Sequence, residues 1–207
     1  MIRSIAPAFA LRPTGLAGTD EGALLARIAR RDAAAFRLVV ERYGAIPHRI
    51  AARMLGSPAD AEDIAQEALL RLWRLGDQAG TVRSVPGWLQ AVATNLCLDR
   101  LRQRSRRSET DDLAEDLADG TPGADVLVMQ GQAAHSARQA IARLPDRQRA
   151  AIVLTYYEEL SNAAAADMLG MTIKAFESLL FRARSALRQE LSGMRQDEPE
   201  GSDHGHG

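Results

Sequence analysis

Cysteine is nearly absent from this sequence. Cys97 stands alone, which excludes an internal disulfide and any cysteine-based metal knuckle. It lies in the apolar helical run over 91–98, where a buried structural thiol is expected rather than a reactive one. Aromatic residues make up only 4% of the chain, β-branched residues rarely cluster, and glycine and proline do not recur every ten residues. An all-β architecture fits that pattern poorly. No apolar run approaches the eighteen or more residues of a membrane span, so no membrane insertion is expected. The N-terminal stretch 1–12 has one early arginine, and its apolar stretch is short and broken by Pro7. It reads as a flexible tail and not as a signal peptide, which gives a cytoplasmic expectation. His48, His135, His204 and His206 have no ligand spacing inside a fold and no triad partners. His204 and His206 sit on the polar C-terminal tail, and two such ligands do not make a metal site. Neither a phosphate loop nor a pair of catalytic carboxylates occurs. No enzyme activity, cofactor or metal is expected.

What is present is alanine, leucine and arginine. At 46% hydrophobic, the 207 residues suffice for a core in one large domain or two small ones. The composition predicts an all-α fold of packed helices. The net charge of −1 conceals a partition. Residues 1–107 hold 17 basic and 10 acidic side chains, whereas 108–131 hold seven acids and no base. Residues 132–195 then hold nine bases and six acids, and the tail 196–207 has four acids. Two basic blocks separated by an acidic segment outline two small helical domains, and basic blocks suit a polyanionic partner. The expected boundaries are a flexible tail over 1–19, a first domain over 20–107, an acidic linker over 108–131, a second domain over 132–192 and a disordered tail over 193–207.

In the first domain Leu24, Leu25 and Ile28 share a helical face. Asp32 is placed to cap a helix carrying Phe36, Val39, Val40 and Tyr43, which Gly44 ends. A third helix over 46–55 stops at Gly56. Ser57, Pro58 and Asp60 then form a strong start signal for a helix to Leu75 that turns Ile64, Leu69, Leu72 and Trp73 inward. Its other face carries Asp60, Glu62, Asp63, Gln66, Glu67 and Arg71. A loop over 76–87 leads into a long helix over 88–107. The second domain is expected as helices over 133–143, 146–158, 162–169 and 173–191, with Asp146 as a cap after Pro145.

The strongest local signal is LSNAAAADMLGMTIKAFESLLFRAR over 160–184. Ser161 and Thr172 are placed as N-caps. Gly170 permits a left-handed turn between two short helices, and the small Ala165 permits their close approach. Ile173, Phe176, Leu180 and Ala183 repeat at helical spacing, which leaves Lys174, Ser178, Arg182 and Arg184 outward. This describes a DNA-binding helix-turn-helix whose donors reach phosphates and base edges. An ordinary helical hairpin with a solvated basic face fits the same pattern. A second signal is the run Arg100, Arg102, Arg104, Arg106 and Arg107, each able to neutralise a phosphate. Arginines at a helix C-terminus are also favoured by the macrodipole alone. A third is the acidic face of the 60–73 helix, which suits a protein contact or plain solvation equally.

Taken together, DAEDIAQEALLRLW over 60–73 and WLQAVATNLCLDRLR over 88–102 resemble the N-terminal conserved domain of sigma-70 family factors. LPDRQR over 144–149, followed by the helix-turn-helix, resembles their C-terminal domain. With these two domains and a short linker, the chain is similar to the extracytoplasmic-function (ECF) group over residues 20–192. The resemblance implies a factor that binds core RNA polymerase and directs promoter-specific initiation, under an anti-sigma factor in a stress or environmental response. It implies docking on the β′ clamp helices through Asp60, Asp63, Gln66, Glu67 and Arg71, with a second contact to the β flap. It implies that the 76–87 loop and Asn95 hold a flipped base of the −10 element, while Arg100, Arg102, Arg104, Arg106 and Arg107 grip the backbone. Ser178, Phe181 and Arg182 then read the −35 element, with Lys174 and Arg184 on phosphates.

Three positions depart from the family pattern. Glu177 and Leu179 stand where basic residues are common, and Ala164 stands where an acid is common. Glu177 on the DNA face can only accept hydrogen bonds, which suits cytosine N4 unless it points away. Trp88 resembles an exposed aromatic in a melting region, although its WLxxV setting favours a core role. The rival readings are a stand-alone helix-turn-helix regulator, which leaves the 60–73 helix and the second basic block unexplained, and a helical interaction scaffold.

Overall fold

The computed structural model describes residues 18–110 and 130–196, and the remainder of the expected tails and linker lies outside them. Among the described residues there is no strand. Helices α1 (Gly18–Ala29), α2 (Ala33–Tyr43), α3 (Ala45–Leu55), α4 (Pro58–Arg74) and α5 (Val85–Thr110) form an N-terminal module. Helices α6 (Gln130–Arg143), α7 (Asp146–Ile152), α8 (Asn162–Met168) and α9 (Ile173–Gln196) form a C-terminal one. No described helix is long and apolar enough to cross a membrane.

Polar side chains set where the helices begin. Asp32 accepts the amides of Ala34 and Ala35 at 2.9 and 3.1 Å, and Ser57 accepts that of Asp60 at 3.3 Å. Ser161 and Thr172 do the same for Ala164 and Ala175, both at 3.2 Å. Each such cap contributes about 1 kcal/mol. Arg27 lies 2.8 Å from Asp32 and, with the capped amides, holds that carboxyl below its ordinary range. Gly56, with φ +68°, ends α3 in the left-handed conformation that an L side chain resists. Gly44 acts differently. Its backbone stays helical, and a Cβ there would lie 2.5 Å from the Val40 carbonyl oxygen, so α2 passes almost directly into α3.

The burial pattern gives two apolar clusters. In one, Leu24, Leu25 and Ile28 pack with Val39, Leu72, Val85 and Leu89. Phe36 stacks obliquely on Trp73 there, with ring centroids 5.0 Å apart. The other cluster joins both modules. Ile50, Met54, Leu98 and Leu101 are continuous with Ile141, Leu144, Ile152, Leu154, Phe176 and Leu180. Cys97 is fully buried in this second cluster, as the apolar run requires, and burial pushes its thiol up to about 12.

Several expectations need correction. Asp146 is not a cap, because Pro145 holds the cap position with no side-chain hydrogen bond and Asp146 is already the first helical residue. The helix expected over 146–158 changes at Val153 into a π-helical turn, Val153–Tyr157, which re-aims the chain towards α8. The expected loop over 76–87 contains a 3-10 turn, Gly76–Thr81, and α5 starts three residues before Trp88, with Pro86 tolerated in its first turn. Ile173 does not join the core of the helix-turn-helix: it is 50% exposed, while Leu179 is buried.

Candidate polymerase and nucleic-acid interfaces

Positions 88, 91, 92, 95, 99 and 102 recur at three- and four-residue intervals, so they share one face of α5. That face walls a cleft of about 800 Å³, bounded by the end of α4, the 3-10 turn and the turn between α8 and α9. Asn95 is exposed within it, and Trp88 is half-buried against the first apolar cluster while still lining the cleft. Trp88 thus packs against the core, as its WLxxV setting favours, and also borders the cleft. Arg71, Arg74, Arg83 and Arg102 line the same cleft with the acids Asp99 and Asp167. Arg74 and Arg83 were not singled out by sequence. The available signal was their place at either end of a short loop, which brings two cations to one mouth.

The basic end of α5 is anchored across the module. Arg104 contacts Asp60, and Arg100 lies 3.3 Å from Asp60 and 3.2 Å from Asp63. Arg102 pairs with Asp99 at 2.8 Å. Arg106 and Arg107 are exposed beyond them. Two of the acids assigned to a polymerase face thus also neutralise part of the arginine run. Asp60 is mostly covered, at 16% side-chain exposure, whereas Asp63 is open at 66%. Gln66 is exposed beside Glu67, whose carboxylate pairs with Arg71 at 2.8 Å. The outer face of α4 therefore presents Asp63, Gln66 and the Glu67–Arg71 pair, with Asp60 set back.

In the C-terminal module Gly170 takes φ +62° between α8 and α9, and Ala165 and Ala166 are buried at the helix crossing. Arg147 donates to the Leu169 carbonyl at 2.7 Å and fixes the turn. Phe176, Leu179, Leu180 and Ala183 face inward on α9. On the opposite side Lys174, Glu177, Ser178, Phe181 and Arg182 form one exposed face. Phe181, 61% exposed, places an apolar ring among polar neighbours, a pairing suited to a thymine methyl beside phosphate contacts. Arg184 is exposed as well, one turn on from Phe181 at the edge of that face. It lines a separate apolar groove with Ile141, Ile152, Tyr156 and Leu187. Leu179 is a core residue, so its difference from a basic residue removes nothing from the exposed face; Glu177 remains on that face.

Among the described residues no group of three or more His, Cys, Asp or Glu side chains is set to hold a metal ion. The geometry offers binding surfaces: a cationic cleft with an amide and an indole, an acidic helix face, and a helix presenting polar side chains around an apolar ring.

Comparison with known proteins agrees with this arrangement. A family model described as Sigma-70 region 2 matches residues 39–107, and one described as Sigma-70, region 4 matches residues 134–187. The chain is 32% identical over 175 residues to the ECF RNA polymerase sigma factor SigW of Bacillus subtilis, covering 80% of this chain and 93% of that one. Other relatives are longer, the chain covering 34% of one and 43% of another. Among solved structures, CnrH in complex with the cytosolic domain of CnrY aligns with a TM-score of 0.58 at 25% identity, over 84% of this chain and 98% of that one. The sigma factor RpoE of Bartonella quintana, solved with the anti-sigma factor NepR, shares the fold at TM-score 0.58 and 24% identity, over 76% and 96% of the two chains.

Proposed function

The chain belongs to the extracytoplasmic-function group of sigma-70 family RNA polymerase sigma factors, and from that premise we propose how its surfaces divide the work of initiation. Residues 20–107 form the unit that docks on core polymerase and reads the −10 element; residues 132–192 form the unit that reads the −35 element. The observation that carries this reading is the pairing, on one chain, of the cleft face of α5 with the exposed face of α9.

Each surface has a chemical task. Asp63, Gln66, Glu67 and Arg71 on α4 meet the β′ clamp helices, with Asp60 aligning the N-terminal end of that face. A base flipped from the melted −10 strand enters the cleft, where the Asn95 amide supplies both a donor and an acceptor and Trp88 lines the wall. Arg100, Arg102, Arg104, Arg106 and Arg107 lie along the adjoining backbone, and Arg74 and Arg83 add charge at the mouth of the cleft. On α9, Ser178, Phe181 and Arg182 read base edges, Lys174 neutralises phosphate, and Glu177 accepts from cytosine N4. Arg184, at the edge of that face, joins Lys174 on phosphate, and the apolar groove it borders faces a protein, the β flap.

The factor acts by binding, in the cytoplasm, without chemistry of its own. It responds to stress or environment through an anti-sigma factor, a reading supported by the shared fold of a sigma factor solved with such a partner. Run-off transcription with core polymerase over a genomic DNA library tests the whole proposal. Transcripts from a common pair of promoter elements are expected. Tight site-specific duplex binding without polymerase, and no transcripts with it, would instead indicate a stand-alone helix-turn-helix regulator.

A further inference from the structure

Glu158 closes the π-helical turn after α7, and its side chain has no exposure to solvent. A carboxylate in that position needs matched donors. They come from the other module. Arg49 of α3 donates from Nε to Oε1 at 2.9 Å and from Nη2 to Oε2 at 2.7 Å, and Gln90 of α5 donates to Oε2 at 3.3 Å. Two more contacts cross the same boundary. Arg149 donates to the Met54 carbonyl at the end of α3 at 2.6 Å, and the Arg53 guanidinium lies 4.4 Å from the Tyr157 ring centroid. Beneath them the apolar cluster runs unbroken between modules.

This closure restricts access to the sites. Residues Asp167, Met168, Leu169 and Gly170, from the helix-turn-helix, line the cleft that holds Asn95 and Trp88. The two promoter elements are named 25 positions apart, which is about 85 Å of duplex at 3.4 Å per base pair. A compact body with this many described residues is roughly 40 Å across by the size scaling of folded chains. The closed form therefore cannot read both elements together, and its cleft is walled on one side by its own DNA-reading module.

We propose that Glu158, held by Arg49 and Gln90, is a latch that keeps the two modules closed over the cleft, and that loading onto a promoter requires its release. This rests on the functional reading above. The chemistry suits a latch. A buried ion pair defines geometry sharply yet returns much of its desolvation cost when both partners rehydrate. A ligand with greater affinity for the open form then shifts the population towards it.

The test uses the purified full chain, with small-angle X-ray scattering for compactness and fluorescence anisotropy for affinity towards mixed-sequence single-stranded DNA. Glu158→Ala is expected to raise the radius of gyration and tighten single-strand binding by about fivefold or more, the range of a modest coupling between sites. The double variant Arg49→Glu with Glu158→Arg is expected to restore both values. Should Glu158→Ala fail to fold, Gln90→Ala, which removes one donor, is expected to give a smaller shift of the same sign. Equal compactness and affinity in wild type and in the folded variants would overturn the latch. Run-off transcription with core polymerase separates the two readings. A chain that opens as expected but yields no transcripts in any form defeats the sigma-factor assignment of the surfaces and leaves the latch standing.

Discussion

Arg104 reaches back across 44 positions to the carboxylate of Asp60, which also lies 3.3 Å from Arg100. The first turn of α4 is thereby tied to the basic end of α5. Negative charge at a helix N-terminus and positive charge near a C-terminus are each favoured by the helix dipoles. The cost falls on function: at least three of the five arginines that suit a phosphate backbone have part of their charge engaged within the protein, Arg100 and Arg104 with Asp60 and Arg102 with Asp99.

Removing that carboxylate is therefore expected to strengthen DNA binding. In Asp60→Asn the Arg104 guanidinium is released and Arg100 keeps only its contact with Asp63, so affinity for non-specific DNA at low salt should rise several-fold. The slope of log affinity against log salt should steepen by about one for each additional phosphate neutralised. Anisotropy titrations at four salt concentrations decide it; an unchanged slope would show that the arginines were never available to phosphate. Binding to core polymerase, measured separately, should weaken if Asp60 supports the α4 face.

Asn95 supplies the second prediction. It is exposed on the cleft face of α5 and carries no packing role, so Asn95→Ala should leave the melting temperature within a degree or two. Loss of a bidentate base contact is worth about 1–3 kcal/mol, or roughly tenfold or more in open-complex formation. Permanganate reactivity of unpaired thymines in the −10 region reads this directly. Normal strand opening with this variant would move base recognition to another residue of the cleft.

Much of the fold was legible in the sequence because its signals are local. Ser57, Asp32, Ser161 and Thr172 cap where their types and neighbours placed them, since a cap needs only amides two or three residues away. The inward faces of α1, α4 and α9 follow from helical spacing, apart from Ile173 near the start of α9, where the last turn of α8 offers it no cover. What the sequence did not disclose is long-range. Nothing near Glu158 indicates that its partners are Arg49 and Gln90, 109 and 68 positions away. An acid between Tyr157 and Glu159 reads as solvated, and only the docking of the modules buries it. The groove beside α9 is a similar case: that the exposed Arg184 also borders Ile141, Ile152 and Tyr156 depends on the packing of α6 and α7, which its neighbours in sequence do not indicate.

Cys97 links stability to pH. Its thiol is held up at about 12 in the folded chain by burial, and the nearby Asp60 carboxylate adds to this, against an ordinary value of 9.0. A raised acid favours the folded state's neutral form. Its contribution is intact below about pH 9 and is lost as the pH climbs towards 12, because the unfolded chain ionises first. The loss approaches about 1.4 kcal/mol per pH unit over that window. Urea unfolding at pH 8, 9 and 10 should show a steeper decline for wild type than for Cys97→Ala, which lacks the ionisable group. Parallel curves would place the thiol in contact with solvent. Consistent with the same burial, a thiol reagent at pH 8 should modify the chain only after denaturant is added.

The tie between modules also contributes to stability, though by less than a buried ion pair suggests. Arg49 is 42% exposed, and water is available to part of its guanidinium when Glu158 is lost. The buried Glu158 carboxylate, when Arg49 is lost, keeps only the Gln90 amide unless the modules part. Arg49→Ala should therefore destabilise more than Glu158→Gln: about 2–4 kcal/mol, towards the lower end of what breaking a buried pair costs, against about 1 kcal/mol for the amide that still accepts from Arg49. Chemical denaturation of both variants gives the comparison, and the reverse order would mean that Glu158 gains water in the folded state.

The last prediction separates two positions on α9 that differ from the family in the same direction. Glu177 and Leu179 both stand where basic residues are common, yet they face opposite ways. Glu177 is exposed beside Ser178 and Phe181, whereas Leu179 is 7% exposed within the cluster that holds Phe176 and Leu180. Glu177→Lys should be neutral for stability, because an exposed charge away from partners changes it by less than about 0.5 kcal/mol. It should raise affinity for duplex DNA and steepen the salt dependence by about one, while relaxing any preference for cytosine at the base it faces. Leu179→Arg should do the opposite. Burying a guanidinium without a carboxylate costs several kcal/mol, so the variant should melt early and lose DNA binding along with the fold of its module. Thermal melts and duplex titrations of the two variants test the orientation of α9 without reference to any promoter. A stable Leu179→Arg chain with enhanced DNA binding would require α9 to be rotated by about 100° from the position its buried residues define.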